Sequence, residues 1–128
     1  MKNKILNREE FVKKSGYRFC IDKREHESGN IVYCLVVCDL CSEGEICLFE
    51  NSEFITFTQI DQKIKEFLLR RVVDRLWVKT YFCGLKSIKI KQVDDGIKIN
   101  NKIFKITADD YDALCKDATN YIFNTQEV

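Results

Sequence analysis

An α+β fold, with a largely antiparallel sheet or sheets of about five to seven strands and three helices, is predicted by three features of the chain. Short runs rich in β-branched and aromatic residues are separated by Gly, Asn, Asp and Ser, which marks hairpins. Two stretches carry apolar residues at spacings of three and four, which marks helices. The elements also fail to alternate strand and helix one for one, so a doubly wound parallel sheet is disfavoured.

Taken in order, residues 8–15 read as a short helix. Asn7 stands as its N-cap, Glu10 completes a capping-box-like pair, Leu6 is placed to staple onto Phe11, and Gly16 supplies a left-handed stop. Tyr17 to Lys23 and Ile31 to Asp39 read as a hairpin around Ser28-Gly29-Asn30. Ser42-Glu43-Gly44 makes a further turn into strands near 45–49 and 53–58.

From Ile60 to about Arg75 the apolar spacing predicts a central helix, with Ile60, Ile64, Phe67, Leu68, Val72 and Leu76 on its inner side and Leu69 and Val73 widening that face. Trp77 to Phe82 reads as a strand, and its aromatic residues are expected in the core. Ser87 to Val93, Ile97 to Ile99 and Lys102 to Ile106 form a meander turning at Asp94-Asp95-Gly96 and Asn100-Asn101. Thr107 is expected to cap a last helix whose inward stripe is Tyr111, Leu114, Cys115, Ala118 and Ile122.

The 128 residues suit a single α+β domain over 1–128. No apolar run reaches the roughly 20 residues that span a bilayer, and the first eleven residues lack the apolar core of a secretory signal. A cytoplasmic, membrane-free protein is expected. Seven cysteines, an odd number, without a glycosylation sequon, fit reduced thiols and not a secreted disulfide framework. Ile, Lys and Asn make up 37 residues against three Ala and no Pro, a bias typical of AT-rich genomes, so lysine position carries more meaning than lysine number.

Charge is partitioned. Residues 60–106 hold twelve Lys/Arg against five Asp/Glu, residues 1–59 eight against ten, and residues 107–128 one against five. Arg70, Arg71, Arg75, Lys79, Lys86, Lys89 and Lys91, with Tyr81 and Phe82 between them, form a candidate surface for nucleic acid or another anionic partner within residues 70–105. Asp109, Asp110, Asp112 and Asp117 form a candidate acidic face for a basic partner, although acidic residues also favour the positive end of a helix dipole.

Cys34, Cys38, Cys41 and Cys47 include one C-x-x-C and are candidate zinc ligands. Against zinc, Cys34, Val36 and Cys38 share a strand face and suit small buried hydrophobes equally well. The single histidine, His26, sits in a charged turn, which leaves Ser-His-Asp and Cys-His arrangements poorly supported. There is no phosphate-cradling glycine loop. Asp39, Glu45 and Glu50 lie near the early strands without the spacing of a metal nuclease.

These residues favour a non-enzymatic binding protein that acts through protein–protein contacts. An inhibitor or antagonist of a host factor or defence system, of the kind viruses and mobile elements encode, fits the small size and divided charge. No cofactor is expected on that reading. A nucleic-acid-binding domain and a small structural-zinc module are the alternatives.

Overall fold

The computed structural model describes residues 4–39, 44–53, 55–85 and 87–125. The fold is α+β, with two antiparallel sheets of four and three strands and, among the described residues, two helices. The chain groups into two compact units, Met1–Ile64 and Lys65–Val128. Among the described residues no helix is long and apolar enough to cross a membrane.

The first unit carries a sheet in the order β1 (Lys4–Lys14), β2 (Tyr17–Glu25), β3 (Ile31–Asp39), β4 (Glu45–Asn51), antiparallel throughout. The helix expected over residues 8–15 is therefore strand β1 as far as Lys14, with Ser15 in the turn that follows. Ser15 and Gly16 both take positive φ, 55° and 85°, between the paired Lys14 and Tyr17. Two consecutive positive φ values match the tight turn whose twist suits a hairpin, so Gly16 turns a strand instead of ending a helix.

The strand was disguised by two register shifts, which skip Leu6 and Phe11. Each bulge breaks the two-residue alternation and leaves apolar residues at spacings that mimic a helix. Gly29, at φ 87°, turns the β2–β3 hairpin, where Gly29 N–H donates to the His26 carbonyl at 2.8 Å.

Strand β3 is buried along most of its length, as expected of a central strand covered on both faces. One face presents Phe19, Leu35 and Val37, all buried. Phe11 meets Phe57 at 5.9 Å between ring centroids, and Lys63 lies over the Phe49 ring at 5.6 Å. The start of α1 (Phe57–Phe82) thus lies against this sheet.

The other face presents Cys20, Asp22, Cys34, Val36 and Cys38, also buried. Neighbouring strands lie roughly 4.8 Å apart, so β1 and β4 would be about 14 Å apart in a flat sheet. Arg8 of β1 nevertheless reaches Glu45 of β4 at 2.8 Å. The sheet must curl toward this face, which is its concave side.

Of the strand expected over 53–58, residue 54 lies outside the described residues, and residues 53 and 55–58 are not strand. Thr56 Oγ1 accepts from Gln59 N–H at 3.2 Å, while Gln59 Oε1 accepts from Thr56 N–H at 2.9 Å. This reciprocal capping box starts α1 at Phe57, three residues before the apolar spacing becomes visible. The expected strand over 77–82 is also helix, since α1 runs unbroken to Phe82.

Gly84 ends it at φ 72°, with Gly84 N–H donating to the Tyr81 carbonyl at 3.2 Å and Leu85 N–H to the Thr80 carbonyl at 3.0 Å. That pair of bonds is the Schellman arrangement. The β-preferring side chains of 77–82 yield because α1 extends a cooperative hydrogen-bond ladder into them. Buried Thr80 satisfies its hydroxyl by donating to the Trp77 carbonyl at 3.0 Å.

In the second unit, β5 (Ile90–Val93), β6 (Gly96–Ile99) and β7 (Lys102–Lys105) form the meander expected from the turn signals. Asp95 and Asn100 take positive φ in its two turns, which Asp and Asn tolerate best among non-glycine residues. Ile90, Ile97 and Ile99 point inward with Leu68, Leu69, Val72, Val73 and Leu76 of α1. Full burial of one such side chain contributes about 1.5–3 kcal/mol.

Gln92 anchors β5 to α1 by donating to the Glu66 carbonyl at 3.0 Å, and Lys65 bonds Asp95 at 2.6 Å. Helix α2 (Tyr111–Thr125) buries the stripe expected of it, and Tyr121 meets Phe104 of β7 at 5.3 Å. Its N-cap is Asp110, not Thr107: Asp110 Oδ1 accepts from Ala113 N–H at 2.9 Å. Ala108 and Asp109, at φ 52° and 53°, turn the chain between Thr107 and that cap.

Candidate functional site

Arg70, Arg71, Arg75 and Lys79 all lie exposed on α1, where the helical repeat sets them beside Trp77, Val78, Tyr81 and Phe82. The three aromatic side chains among them were expected in the core. Instead Trp77 is 46%, Val78 54%, Tyr81 78% and Phe82 80% exposed. Trp77 with Tyr81, and Val78 with Phe82, form two adjacent i, i+4 pairs on the outer side of the helix.

Their exposure follows from the extension of α1. Buried Val72, Val73, Leu76 and Thr80 already define the inward stripe, and the intervening residues have to face away from it. Tyr81 and Phe82 meet edge to face at 5.5 Å. A shallow depression beside them is lined by Arg71, Asp74, Arg75, Val78 and Lys79. All five come from one helix, so it is a contact surface and not an enclosed pocket for a small molecule.

The cations there are partly offset. Asp74 lies 3.4 Å from Arg70 and 3.8 Å from Arg71, and Arg75 reaches Asp112 of α2 at 3.5 Å. Lys89 and Lys91 are exposed and alternate with Ile90 and Gln92, the side of β5 that faces α1. They therefore point away from α1, and the structure does not gather them with Arg71, Arg75 and Lys79 into one stripe. Lys86 lies outside the described residues.

The acidic candidates are likewise spread. Asp109 sits in the turn before α2, and Asp110 is the cap. Asp112 and Asp117 are exposed but five residues apart, about 140° around the helix.

Of the four cysteines considered as zinc ligands, the structure brings Cys34 and Cys47 together. Cys38 follows Cys34 by four residues on an extended strand, roughly 13 Å along it. Its thiol instead donates to Glu45 Oε2 at 3.5 Å. Cys41 lies outside the described residues.

The partner of Cys34 and Cys47 is Glu50: one sulfur from each cysteine and a carboxylate oxygen all lie within 4.8 Å of one another. The cause is a bulge. Leu35 pairs with Phe49 and Val36 with Cys47, so Leu48 is an extra residue in β4. On a regular strand, positions 47 and 50 would face opposite sides, but the extra residue returns both to the concave face beside Cys34. His26, at the end of β2, lies with Nε2 2.8 Å from Glu50 Oε1.

Electrostatics divide this face in two. Burial pushes the Cys34 thiol up to about 12, reinforced by Cys47 close by. Burial also pushes the Asp22 carboxyl upward, but hydrogen bonds and charge from Arg8 and Arg24 outweigh it and hold Asp22 below its ordinary value. Arg8 grips both Asp22 oxygens at 2.7 Å, and Arg24 adds bonds of 3.0 and 2.7 Å to Oδ2. The hydrogen bond from Arg8 likewise holds the Glu45 carboxyl down.

In the sequence Glu50 and His26 stand apart from the thiols, one among the strand carboxylates and the other in a charged turn. The signal was the unbroken apolar run Ile46-Cys47-Leu48-Phe49, which violates alternation and marks a bulge. Comparison of the chain with protein-family models, with curated proteins and with solved structures gives no match.

Proposed function

We propose that this chain is a non-enzymatic binding protein whose α1 C-terminal half docks into an apolar groove on a protein partner, with carboxylates at the groove's rim. The observation that carries this reading is the exposure of Trp77, Val78, Tyr81 and Phe82 on adjacent turns of one helix. Large apolar groups held in water favour association, and aromatic residues with arginine are the side chains most enriched at interface centres. Anchors at i, i+1, i+4 and i+5 suit helix-in-groove recognition. Arg71, Arg75 and Lys79 along one border would steer the helix toward an acidic rim. Occupying such a groove excludes its usual occupant, which is how an inhibitor or antagonist without catalytic groups acts.

The test is capture of partners by the native protein, by Tyr81→Ser/Phe82→Ser and by Arg71→Glu/Arg75→Glu, with and without nuclease. A protein recovered by the native chain, lost with Tyr81→Ser/Phe82→Ser and made salt-sensitive through the arginines, is the expected result. Retention of the same protein by Tyr81→Ser/Phe82→Ser overturns the surface. Recovery of nucleic acid alone, abolished by the arginine substitutions, replaces the reading with the nucleic-acid one.

A further inference from the structure

The geometry points to a transition-metal site on the first sheet, in which Cys34, Cys47 and Glu50 bind a Zn²⁺-like ion and His26 holds the Glu50 carboxylate in place. Two sulfurs and one carboxylate oxygen from two strands already lie within 4.8 Å of one another. Zinc bonds of about 2.3 Å to sulfur and 2.0–2.2 Å to oxygen set tetrahedral ligand atoms roughly 3.3–3.8 Å apart. Closing the cluster on an ion therefore needs movements of about 1 Å, which rotation of the exposed Cys47 and Glu50 side chains supplies.

The donor set selects the metal class. Two thiolates suit a borderline-soft ion such as Zn²⁺ and are poor ligands for Mg²⁺ or Ca²⁺, which take oxygen. As each sulfur–metal bond forms, the thiol releases its proton to solvent, so two protons leave for each ion bound.

His26 plays a recurrent outer role. Its Nε2–Glu50 Oε1 contact of 2.8 Å fixes which carboxylate oxygen remains for the metal. Three protein ligands leave the fourth position to water or to a donor from outside the chain. Because Cys47 and Glu50 are exposed, that position faces solvent. The bulge at Leu48 is what makes the site, since without it Cys47 and Glu50 would lie on opposite faces of β4.

The test uses the full chain, reduced and stripped of metal, titrated with Co²⁺ and then Zn²⁺. One Co²⁺ per chain is expected, with thiolate-to-cobalt charge-transfer absorption that Zn²⁺ displaces, and thermal stability should rise with Zn²⁺ concentration. Cys47→Ser and Glu50→Gln, both at the surface and checked for native circular dichroism, should each weaken binding about ten-fold or more. His26→Ala should weaken it about 10–100-fold, as loss of an outer-shell partner does. Cys38→Ser should leave it unchanged.

Cobalt binding without the thiolate band, or unchanged affinity in Cys47→Ser and Glu50→Gln, overturns the site. Loss of binding in Cys38→Ser or Cys41→Ser overturns it in favour of the C-x-x-C. A reduced chain that binds no metal but oxidises to a Cys34–Cys47 disulfide overturns it in favour of a redox pair.

Discussion

On the concave face of the first sheet, Asp22 is 0% exposed and held by two arginines; on the outer side of α1, Tyr81 and Phe82 stand about four-fifths in water. One region buries charge, the other exposes aromatic rings, and each reverses the ordinary preference. The difference separates two kinds of constraint. Buried charge survives only where partners match it closely, so the face around Asp22 is tied to the integrity of the sheet. Exposed aromatics contribute little to folding, so the outer side of α1 is free to serve a contact.

The largest expected effect breaks the first half of this comparison. Asp22→Ala leaves Arg8 and Arg24 without their shared counter-charge and should cost about 3–5 kcal/mol, read as a lower urea midpoint. The same carboxylate sets an acid limit. Its folded pKa lies below the ordinary 3.8, so its stabilisation is complete above that value and drains away as pH falls through the lower, folded one. An acid titration should show a loss of stability below about pH 4 that is absent from Asp22→Ala. An identical acid limb in both proteins would remove Asp22 from that role.

A middle effect probes the second unit by itself. A Cβ on Gly96 would collide with the backbone carbonyl oxygen of Phe104 across the β6–β7 ladder. Gly96→Ala should destabilise by about 1–3 kcal/mol, with faster amide exchange first in β5–β7. Exchange that accelerates equally in β1–β4 would show that the two units unfold as one.

The smallest effect sharpens the other half. Tyr81→Ser with Phe82→Ser should change stability by no more than about 0.5 kcal/mol, because neither ring is buried. A thermal midpoint shifted as far as that of Gly96→Ala would mean these rings serve folding after all.

Much of the fold was legible where local chemistry and tertiary pairing agree. Ser28-Gly29-Asn30, Asp94-Asp95-Gly96 and Asn100-Asn101 are turns, and the buried stripe of α2 runs from Tyr111 to Ile122 as its spacing predicts. Thr56-Phe57-Thr58-Gln59 was a readable capping box that the surrounding β-prone residues concealed. Residues 8–15 were misread because the bulges at Leu6 and Phe11 erase the two-residue period on which strand recognition depends. Residues 77–82 were misread because Trp, Val, Thr, Tyr and Phe prefer strands in isolation, a preference of about 1 kcal/mol that an already nucleated helix overrides. The thiol cluster was half legible: Cys34 and Cys47 were singled out, but as candidates alongside Cys38 and Cys41, without Glu50, which the structure sets beside them.

By itself, the sequence determined the α+β class, the positions of most turns, the apolar stripes of both helices and the division of charge along the chain. Each of these is set by residues within a few positions of one another, through backbone preference and the helical or strand period. Only the tertiary structure decided that Lys4–Lys14 is a strand, that Asp22 sits buried between Arg8 and Arg24, and that Cys47 and Glu50 face Cys34. Those outcomes depend on register between strands, and a single extra residue such as Leu48 reverses which face a side chain occupies. The apolar run from Ile46 to Phe49 signals an irregular strand, but which residue is the extra one, and so which side chains share a face, is defined by the strand it pairs against.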